Sequence, residues 1–535
     1  ISFLRKLKSL PPEYCPTCRR QGRLLFHNPV FLFKRNNDAP SEKSTVLSFV
    51  SPVKPFTIYD YEYYTSGLWD PLAFGRVFDE NTSFLDQLYE LRKVVPQPAM
   101  TRDPSNVNSE YSINGRNAKN AYCSSAVFGS EDIWYSINVK DSREVMDSNK
   151  VVHMEQVYHA VCSRNCSRCQ YVFFSQQCIN VQYTYDCRNC QDCFGCVNLR
   201  NKRYCLFNVQ LSKEEYERQV GLYALDKASV RTEIEKKFWD FVRQHPVKAS
   251  RNEQSIDSTG TYVVHSKNCH DATDCDSSEN ERHVDIVVHH KDSMDVCGSG
   301  GSELLYQTSG VGSQCSNVKF SALSKFITDS EYLVNCRHCS YCFGCVGLEN
   351  KSYVIFNKQY TEDEYWIELD RIKSALVRTG EYGRMLESRF SPFAYNASSA
   401  DIAFPLTEDG TLASGFEWQV PVDTDTSGLD VLSWEQVPDS ITDVSGDIQN
   451  HALLCKETGR PFRIVPTELT YYKRYQIPLP TTHQYHRMKK SFSYFGNMRS
   501  YPGVCTRCAC QLQTIYSPES HMMLYCDGCY QKEVL

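Results

Sequence analysis

Short apolar runs separated by Asn, Asp, Ser and Cys occupy two stretches of the chain, residues 105–208 and 257–357. Runs of this kind, with turn-forming residues between them, predict strands. A finer repeat passes through them, since Cys166 recurs as Cys187 and other positions return at the same offset. A single strand cannot bury its own inner face, so this repeat predicts a β-solenoid, in which stacked rungs form the core.

A helix is predicted directly after each of these stretches. Ser212 and Thr361 are each followed three residues later by Glu, which is the pattern of a capping box at a helix N-terminus. The apolar positions downstream recur with a helical period. We therefore expect short helical hairpins over residues 212–245 and 361–391.

The predicted solenoid and its helices are duplicated in tandem. Residues 186–208 (DCRNCQDCFGCVNLRNKRYCLFN) return as residues 335–357 (NCRHCSYCFGCVGLENKSYVIFN), 149 positions later. A repeat of this length indicates that one structural plan is used twice.

A second duplication joins the two ends of the chain. Residues 3–20 align with residues 471–488 at an offset of 468, which pairs Cys15 with His483 and Cys18 with His486. An offset of 466 continues the match and pairs Asp60 with Cys526, Tyr63 with Cys529, Ala39 with Cys505 and Glu42 with Cys508. The chain ends are therefore expected to fold alike.

These patterns predict a mixed, β-rich fold of two tandem β-solenoid (β-helix-like) units, each followed by a helical hairpin and flanked by terminal zinc-ribbon modules. The expected domains are an N-terminal degenerate ribbon module truncated at its start (1–100), a first Cys-rich β-solenoid (101–210), a helical hairpin (211–250), a second Cys-rich β-solenoid (251–358), a helical segment (359–395), an acidic linker (396–450) and a C-terminal zinc-ribbon module (451–535).

Composition changes this picture mainly through cysteine. The 535 residues include 26 cysteines, with 41% hydrophobic and 23% charged residues overall. Many of the cysteines form C-x2-C pairs, which are typical of metal sites in a reducing compartment. No apolar run approaches the roughly 20 residues of a membrane span, and no secretory signal is visible, so we expect a cytoplasmic protein. Because the first residue is Ile, we also expect the true N-terminus to lie upstream.

The clearest metal-site pattern lies near the C-terminus. Cys505-x2-Cys508 is followed by a second pair, Cys526-x2-Cys529, with two predicted strands and a turn in the segment between the pairs. Four thiolates in such an arrangement bind Zn²⁺ tetrahedrally. Four protein ligands leave no open position, so the predicted role is structural, and Cys510 is expected to be a packing residue.

Two weaker sites follow from the alignment of the chain ends. Cys455, His483 and His486 would form a three-ligand site, because Thr458 stands where a second cysteine is expected. Such a site is either of the catalytic zinc type or a degenerate structural site that binds metal weakly or not at all. At the N-terminus, the pair formed by Cys15 and Cys18 is expected to be half a site, whose partners would precede residue 1.

A third group consists of two runs of C-x2-C-x2-C-x2-C. Such runs resemble the iron–sulfur motif of bacterial ferredoxins, but the last spacing differs and no proline follows. Packing as small apolar groups in a narrow core, metal binding and redox-labile thiols are the three interpretations. The residues concerned are Cys187, Cys190, Cys193, Cys196, Cys336, Cys339, Cys342 and Cys345.

Catalytic motifs are not found: there is no P-loop, dinucleotide fingerprint, G-x-S-x-G or H-E-x-x-H. Aspartate and histidine side chains near residue 290 suggest a hydrolase or lyase on the solenoid as an alternative. Solvated turn positions explain these residues more simply. These residues are Asp285, His289, His290 and Asp292. The sequence therefore favours a protein that is not an enzyme.

Charge is distributed unevenly within a net charge of −6. Residues 1–36 hold eight Lys/Arg and one acid, and residues 455–500 hold nine and two, whereas residues 401–450 hold eleven acids and no base. Basic modules rich in Tyr and Phe favour contact with RNA or a ribonucleoprotein, and a protein partner is the alternative. The acidic stretch is a candidate to fold back onto a ribbon and mask it.

Several motifs together resemble an uncharacterised family of zinc-ribbon-flanked, Cys-rich, internally duplicated proteins of reduced-genome bacteria. The motifs are PPEYCPTCRRQGRL, CFGCVNLRNKRYCLFN, SKEEY, CKETGRPFRIVPTEL and YCDGCYQKEV. The resemblance implies zinc binding and a cytoplasmic location, but no activity. Family members usually carry a C-x2-C ahead of this chain's first residue and a cysteine at the position of Thr458.

Together these observations predict a zinc-binding scaffold or interaction protein whose basic terminal modules contact RNA or a ribonucleoprotein. An iron–sulfur or thiol redox protein using the clustered solenoid cysteines is the first alternative. A hydrolase or lyase on the solenoid is the second.

Overall fold

A computed structural model describes residues 2–421 and 426–534. The fold is β-rich, with two large and mainly parallel sheets and, in the described residues, no closed barrel. The chain separates into two compact units. The N-terminal unit comprises Ile1–Thr101, Ser250–Gln419 and Met498–Ser500, and the C-terminal unit comprises Arg102–Ala249, Val420–Asn497 and Tyr501–Leu535.

Twelve α-helices lie in the described residues. None of them is both long enough and apolar enough to cross a bilayer. They are α1 (Ser2–Lys6), α2 (Pro16–Leu24), α3 (Tyr61–Tyr64), α4 (Phe84–Val94), α5 (Lys213–Val220), α6 (Ala228–Arg243), α7 (Glu362–Thr379), α8 (Ser399–Ala403), α9 (Glu408–Ala413), α10 (Pro466–Arg474), α11 (Gln484–Ser493) and α12 (Asp527–Val534).

The 12-stranded sheet belongs to the C-terminal unit and the 11-stranded sheet to the N-terminal unit. The 12-stranded sheet contains β5 (Lys119–Tyr122), β6 (Ser125–Phe128), β7 (Glu131–Trp134), β8 (Ile137–Lys140), β9 (Arg143–Met146), β10 (Asn149–Val152), β11 (Glu155–Arg164), β12 (Ser167–Phe173), β13 (Ile179–Tyr185), β14 (Gln191–Phe194), β15 (Arg203–Leu206) and β16 (Val209–Gln210). The 11-stranded sheet contains β18 (Gly260–Val264), β19 (Ala272–Asp276), β20 (Glu279–Arg282), β21 (Asp285–Val288), β22 (Lys291–Gly300), β23 (Glu303–Ser309), β24 (Ser316–Lys319), β25 (Lys325–Glu331), β26 (Arg337–Phe343), β27 (Ser352–Ile355) and β28 (Lys358–Gln359).

Smaller sheets accompany the large ones. Their strands are β1 (Phe33–Asn36), β2 (Thr45–Ser48), β3 (Ile58–Tyr59), β4 (Gln97–Pro98), β17 (Pro246–Lys248), β29 (Asp430–Leu432), β30 (His451–Leu454), β31 (Pro461–Phe462), β32 (Tyr501–Val504), β33 (Gln511–Thr514) and β34 (Met523–Tyr525). Within the C-terminal unit, β29 of the acidic stretch pairs in parallel with β30. Part of that stretch therefore pairs with the first strand of the C-terminal module.

Neighbouring parallel strands of the 12-stranded sheet stack at one constant interval, and the 11-stranded sheet keeps this interval except between β23 and β24, where Glu303 lies opposite Ser316, one residue further along. Val157 lies opposite Cys169 in the 12-stranded sheet, and Cys275 lies opposite Val287 in the 11-stranded sheet. This interval is shorter than the offset from Cys166 to Cys187, so the finer repeat seen in the sequence is not the stacking interval. Both offsets are multiples of three, so residues that the sequence repeat relates have the same position in the three-residue pattern. They do not lie opposite each other on neighbouring strands.

The backbone of the 12-stranded sheet enters the left-handed region at every third residue. Positive φ recurs at each third position from Asn114 (φ 56°) to Phe207 (φ 44°), and most of these residues are not glycine. Among L-residues, Asn and Asp tolerate this region best, which accounts for their frequency here. Most residues that follow a left-handed position are turned inward: Val127, which follows Ala126 (φ 55°), is fully buried, whereas Lys202 near the end of the sheet is exposed.

Small side chains fill the core of this sheet. Cys166, Cys178 and Cys190 follow one another along one row, a single stacking interval apart, and each is at most 2% exposed. Their thiols donate to nearby carbonyl groups, as Cys178 Sγ does to Gln176 O at 3.3 Å. The interpretation of the clustered cysteines as small core residues is therefore confirmed.

The helices that follow the sheets differ from each other. After the 12-stranded sheet, α5 and α6 are the two predicted helices, whereas the 11-stranded sheet is followed by the single helix α7. The prediction of a second hairpin is wrong. Helix α7 ends at Gly380, which has the left-handed conformation (φ 73°), and no second α-helix begins before residue 391. The capping box of Thr361 is formed, but at Ser212 only the N-cap half is present.

Buried ion pairs hold α2 against the 11-stranded sheet within the N-terminal unit. Arg19 and Arg23 both pair with Asp295 on β22, at 2.9 and 2.8 Å. These three side chains are at most 6% exposed. The helix is therefore fixed by charges that are removed from solvent.

The C-terminal unit has the matching arrangement on α11. Arg487, which aligns with Arg19, pairs with Asp147 of the 12-stranded sheet at 3.0 Å and with Glu468 at 3.5 Å. Burial raises the pKa of Asp147 and Glu468, and the nearby guanidinium opposes this effect. The same arginine is therefore the cation that pairs with both buried carboxyl groups.

Replacing Ser148 by valine is expected to destabilise the C-terminal unit. Ser148 Oγ donates to Met146 O at 2.9 Å and accepts the Ala160 N–H at 3.0 Å. Valine carries no hydrogen-bonding group, so it leaves the buried Ala160 N–H without its serine acceptor, at a cost of about 1–3 kcal/mol. Ser148→Cys keeps a weak donor and acceptor and should lose less. Urea unfolding followed by circular dichroism measures both variants, and equal losses would contradict this explanation.

Arg487→Met should cost about 3–5 kcal/mol, because it leaves the buried carboxyl groups of Asp147 and Glu468 without a cation. The matched control is Arg474→Met. Arg474 pairs with Glu144 at 2.8 Å but its side chain is 57% exposed, so its loss should cost less than about 1 kcal/mol. Urea midpoints compare the variants, and similar midpoints would show that the buried pair does not hold α11.

Candidate metal centre

Two backbone segments carry the four C-terminal cysteines. Cys505 directly follows β32, and Cys508 lies in the loop that connects β32 to β33. Cys526 directly follows β34, and Cys529 lies in the first turn of α12. The predicted strands exist, but they do not form a hairpin with each other: β33 pairs with β32, whereas β34 pairs in parallel with β17.

The four sulfur atoms converge. All lie within 4.8 Å of one another, and Cys508 Sγ is 3.8 Å from Cys526 Sγ. Tetrahedral bonds of about 2.3 Å to a zinc ion require sulfur atoms roughly 3.8 Å apart. The group could therefore hold a metal ion with little rearrangement.

Backbone amides favour the thiolate form of Cys505. Burial raises the pKa of Cys505, but the N–H groups of Cys526, Cys508 and Arg507 point at its sulfur and lower the pKa to about 6. The Cys526 N–H lies 3.4 Å from Cys505 Sγ. Thiolate is the form of cysteine that binds metals.

The surroundings offer structural rather than catalytic chemistry. The group consists of cysteines alone, so a tetrahedral ion would have no open position for water or substrate. The nearest acidic residues pair with cations, Glu533 with Arg507 at 2.6 Å and Asp527 with Lys248 at 3.5 Å. Cys510 is exposed, so the prediction that it packs in a core is wrong.

The predicted three-ligand site is not assembled. In the part of the chain that the structure describes, the C-terminal group is the one set of three or more candidate ligands within 4.8 Å of one another, and Cys455, His483 and His486 are not such a set. His483 Nδ1 accepts the Tyr485 N–H at 3.2 Å and so caps α11. Burial raises the pKa of Cys455, but the Thr458 hydroxyl and backbone N–H groups outweigh it and lower the pKa.

The loop at Cys455 nevertheless has the backbone shape of the metal loop. The Cys455 N–H donates to Arg460 O at 2.9 Å, and the Cys505 N–H donates to Cys510 O at the same distance. This loop is therefore closed by the same backbone hydrogen bond as the metal loop, and Thr458 stands where the metal loop has Cys508.

The remaining predicted cysteines fall into two environments. Cys15 and Cys18 are exposed, with sulfur atoms 3.4 Å apart at the start of α2, and no third candidate ligand among the described residues completes a group with them. The eight clustered cysteines are all buried, and among the described residues they form no such group either. They are Cys187, Cys190, Cys193, Cys196, Cys336, Cys339, Cys342 and Cys345.

A polar cluster in the N-terminal unit was missed. Asn37 Nδ2 donates to Asp60 Oδ2 at 3.0 Å, and the Asp60 N–H donates to Asn37 Oδ1 at 2.9 Å. Ser41 Oγ donates to the same carboxylate at 2.8 Å. The three side chains therefore satisfy one another without an added ion.

This cluster has the position that the metal group has in the C-terminal unit. Asn37 directly follows β1 as Cys505 directly follows β32, and Asp60 directly follows β3 as Cys526 directly follows β34. The alignment correctly pairs Asp60 with Cys526, but it pairs Ala39 with Cys505. A single offset of 466 cannot represent the two-residue difference between the loops, so Asn37 escaped notice.

Two residues interpreted as solvated turn positions are instead buried. Asp285 pairs with Arg20 at 2.7 Å, and His290 lies inside the 11-stranded sheet, 3.4 Å from Glu281 and 2.9 Å from Ser299 Oγ. The residue classes suggested turns, whereas the three-residue spacing places Glu281 and His290 at inward positions. Asp285 and His290 therefore do not lie on an exposed face of the sheet, whereas His289 is exposed and Asp292 is half-buried.

Comparisons with known proteins add no assignment. No protein-family model and no curated protein matches the chain. Among solved structures, the chain is matched to a candidate acetyltransferase from Desulfovibrio desulfuricans G20, with 10% identity, 53% of this chain and 79% of that chain covered, and a TM-score of 0.10. A similarity this low carries no argument about fold or chemistry, so function is argued from the site.

Proposed function

We propose that this protein is a zinc-stabilised scaffold that acts by binding a partner rather than by catalysis. The observation that carries the proposal is the convergence of four cysteine sulfur atoms within 4.8 Å at Cys505, Cys508, Cys526 and Cys529. Soft sulfur ligands select zinc or iron. Four protein ligands in a tetrahedral arrangement leave no position for substrate, which favours zinc in a structural role.

The scaffold itself is proposed to consist of two β-solenoids, each with a ribbon module. Parallel pairing at a constant interval, a left-handed residue at every third position and rows of inward small residues support this proposal. Stacked rungs of this kind present long, regular surfaces, which is how repeat proteins bind partners.

The partner we propose is RNA or a ribonucleoprotein, with a protein as the alternative. Lys473, Lys489 and Lys490 lie exposed on α10 and α11, which supports contact with phosphates. The surface is smaller than the sequence suggests, because Arg23 and Arg487 are engaged by buried carboxyl groups.

Loss of the metal ligand is the direct test of the proposal. Wild-type protein should contain one zinc ion per chain, and Cys508→Ser should lose it and lower the melting temperature, because three remaining ligands bind zinc more weakly. Cys510→Ser is the control, since Cys510 is exposed and close by but outside the group. Elemental analysis and thermal unfolding measure both effects.

Three results would count against a structural zinc site. These are a chain purified without metal that melts at the same temperature with and without added zinc, a Cys455→Ser variant that loses the metal, and iron as the bound element.

Binding of RNA is tested separately by filter binding at several salt concentrations. Replacing Lys473, Lys489 and Lys490 by Gln should weaken binding and reduce the slope of log K against log salt by about 2, since each contact with a single strand contributes about 0.7. Lys213→Gln with Lys236→Gln, exposed lysines outside the terminal modules, is the control. Absence of binding at low salt, or binding indifferent to salt, would reject RNA and favour the protein partner.

A further inference from the structure

Two exposed cysteines lie side by side in the N-terminal unit. Cys15 Sγ and Cys18 Sγ are 3.4 Å apart, and both residues are exposed. Most of the cysteines are buried, and the other two exposed ones, Cys508 and Cys510, lie at the metal centre. Cys15 and Cys18 are therefore a pair of exposed thiols that lies apart from the candidate metal centre in the sequence.

The geometry suits a disulfide. Cys15 is the N-cap of α2, a helix of nine residues, and its sulfur accepts the Cys18 N–H at 3.5 Å. The two sulfur atoms are already 3.4 Å apart, and a small adjustment at the start of the helix brings them to the bonding distance of about 2.05 Å. The same N–H and the positive end of the helix stabilise a thiolate on Cys15.

The helix that carries the pair is held rigidly. Arg19 and Arg23, which follow Cys18 on the same helix, pair with buried Asp295 and fix α2 on the 11-stranded sheet. Oxidation and reduction would therefore change the exposed tip and leave the buried contacts in place.

The pair also differs from the C-terminal group in its neighbours. There, a second C-x2-C is brought to the sulfur atoms, whereas among the described residues no third candidate ligand lies within the same distance of Cys15 and Cys18.

We propose that Cys15 and Cys18 form a redox-active dithiol that exchanges with disulfides. The Cys15 thiolate attacks one sulfur of a substrate disulfide, which forms a mixed disulfide and releases one thiol. Cys18 then loses its proton and attacks Cys15 Sγ, which closes the Cys15–Cys18 bond and releases the second thiol. One substrate disulfide is thus reduced to two thiols as the protein dithiol is oxidised, with no further reactant.

The test uses the full chain and mixtures of oxidised and reduced glutathione, followed by alkylation and peptide mass spectrometry. In wild-type protein, the peptide with both residues should become two hydrogen atoms lighter. In Cys18→Ser, Cys15 should be trapped as a glutathione mixed disulfide. In Cys15→Ser, Cys18 should react more slowly. The control Cys510→Ser should leave the Cys15–Cys18 disulfide unchanged.

Two results would overturn the proposal. The first is a pair that stays reduced in mixtures that modify Cys510. The second is a zinc content that falls in Cys15→Ser, since this would make the pair a metal ligand. Both are independent of the Cys508 experiment, because that experiment concerns a different group of sulfur atoms.

Discussion

The left-handed backbone at every third residue is the constraint on which the sheets depend. It places one residue in three inward and gives strands that pair at a constant interval. It also places Asn and Asp in rows, where Asn120 Nδ2 donates to Asp132 Oδ1 at 2.8 Å and Asn280 Nδ2 to Asp292 Oδ1 at 2.7 Å. Left-handed residues other than glycine cost free energy, so these hydrogen bonds and the buried core must stabilise the conformation.

Sequence reasoning reached many of the strands and the group of four C-terminal cysteines, because residue type and spacing encode them. It did not reach the stacking interval, since Tyr171 and Cys123 adopt left-handed φ values without being residues that favour them. The pairing of Asp147 with Arg487 was also out of reach, because it joins residues far apart in sequence. Local patterns predict local structure, whereas partners across the fold depend on the register.

Cysteine has different chemistry at different places in this fold. Cys178 is inward, donates to a carbonyl group and behaves as a small core residue. Cys505 has backbone N–H groups pointing at its sulfur and three other sulfur atoms nearby, which favours metal binding. Cys15 is exposed beside one other thiol, which favours exchange. Burial and neighbours, rather than spacing in the sequence, separate these cases.

The terminal modules of the two units show that the same backbone arrangement is closed in two ways. Four thiolates near Cys505 repel one another unless a cation neutralises them, so that module should depend on metal. Asn37, Ser41 and Asp60 place donors opposite acceptors in the equivalent position, and each group finds its partner within 3.0 Å. Metal removal should therefore loosen the C-terminal module and leave the N-terminal one folded, because only the first lacks internal compensation for its charges.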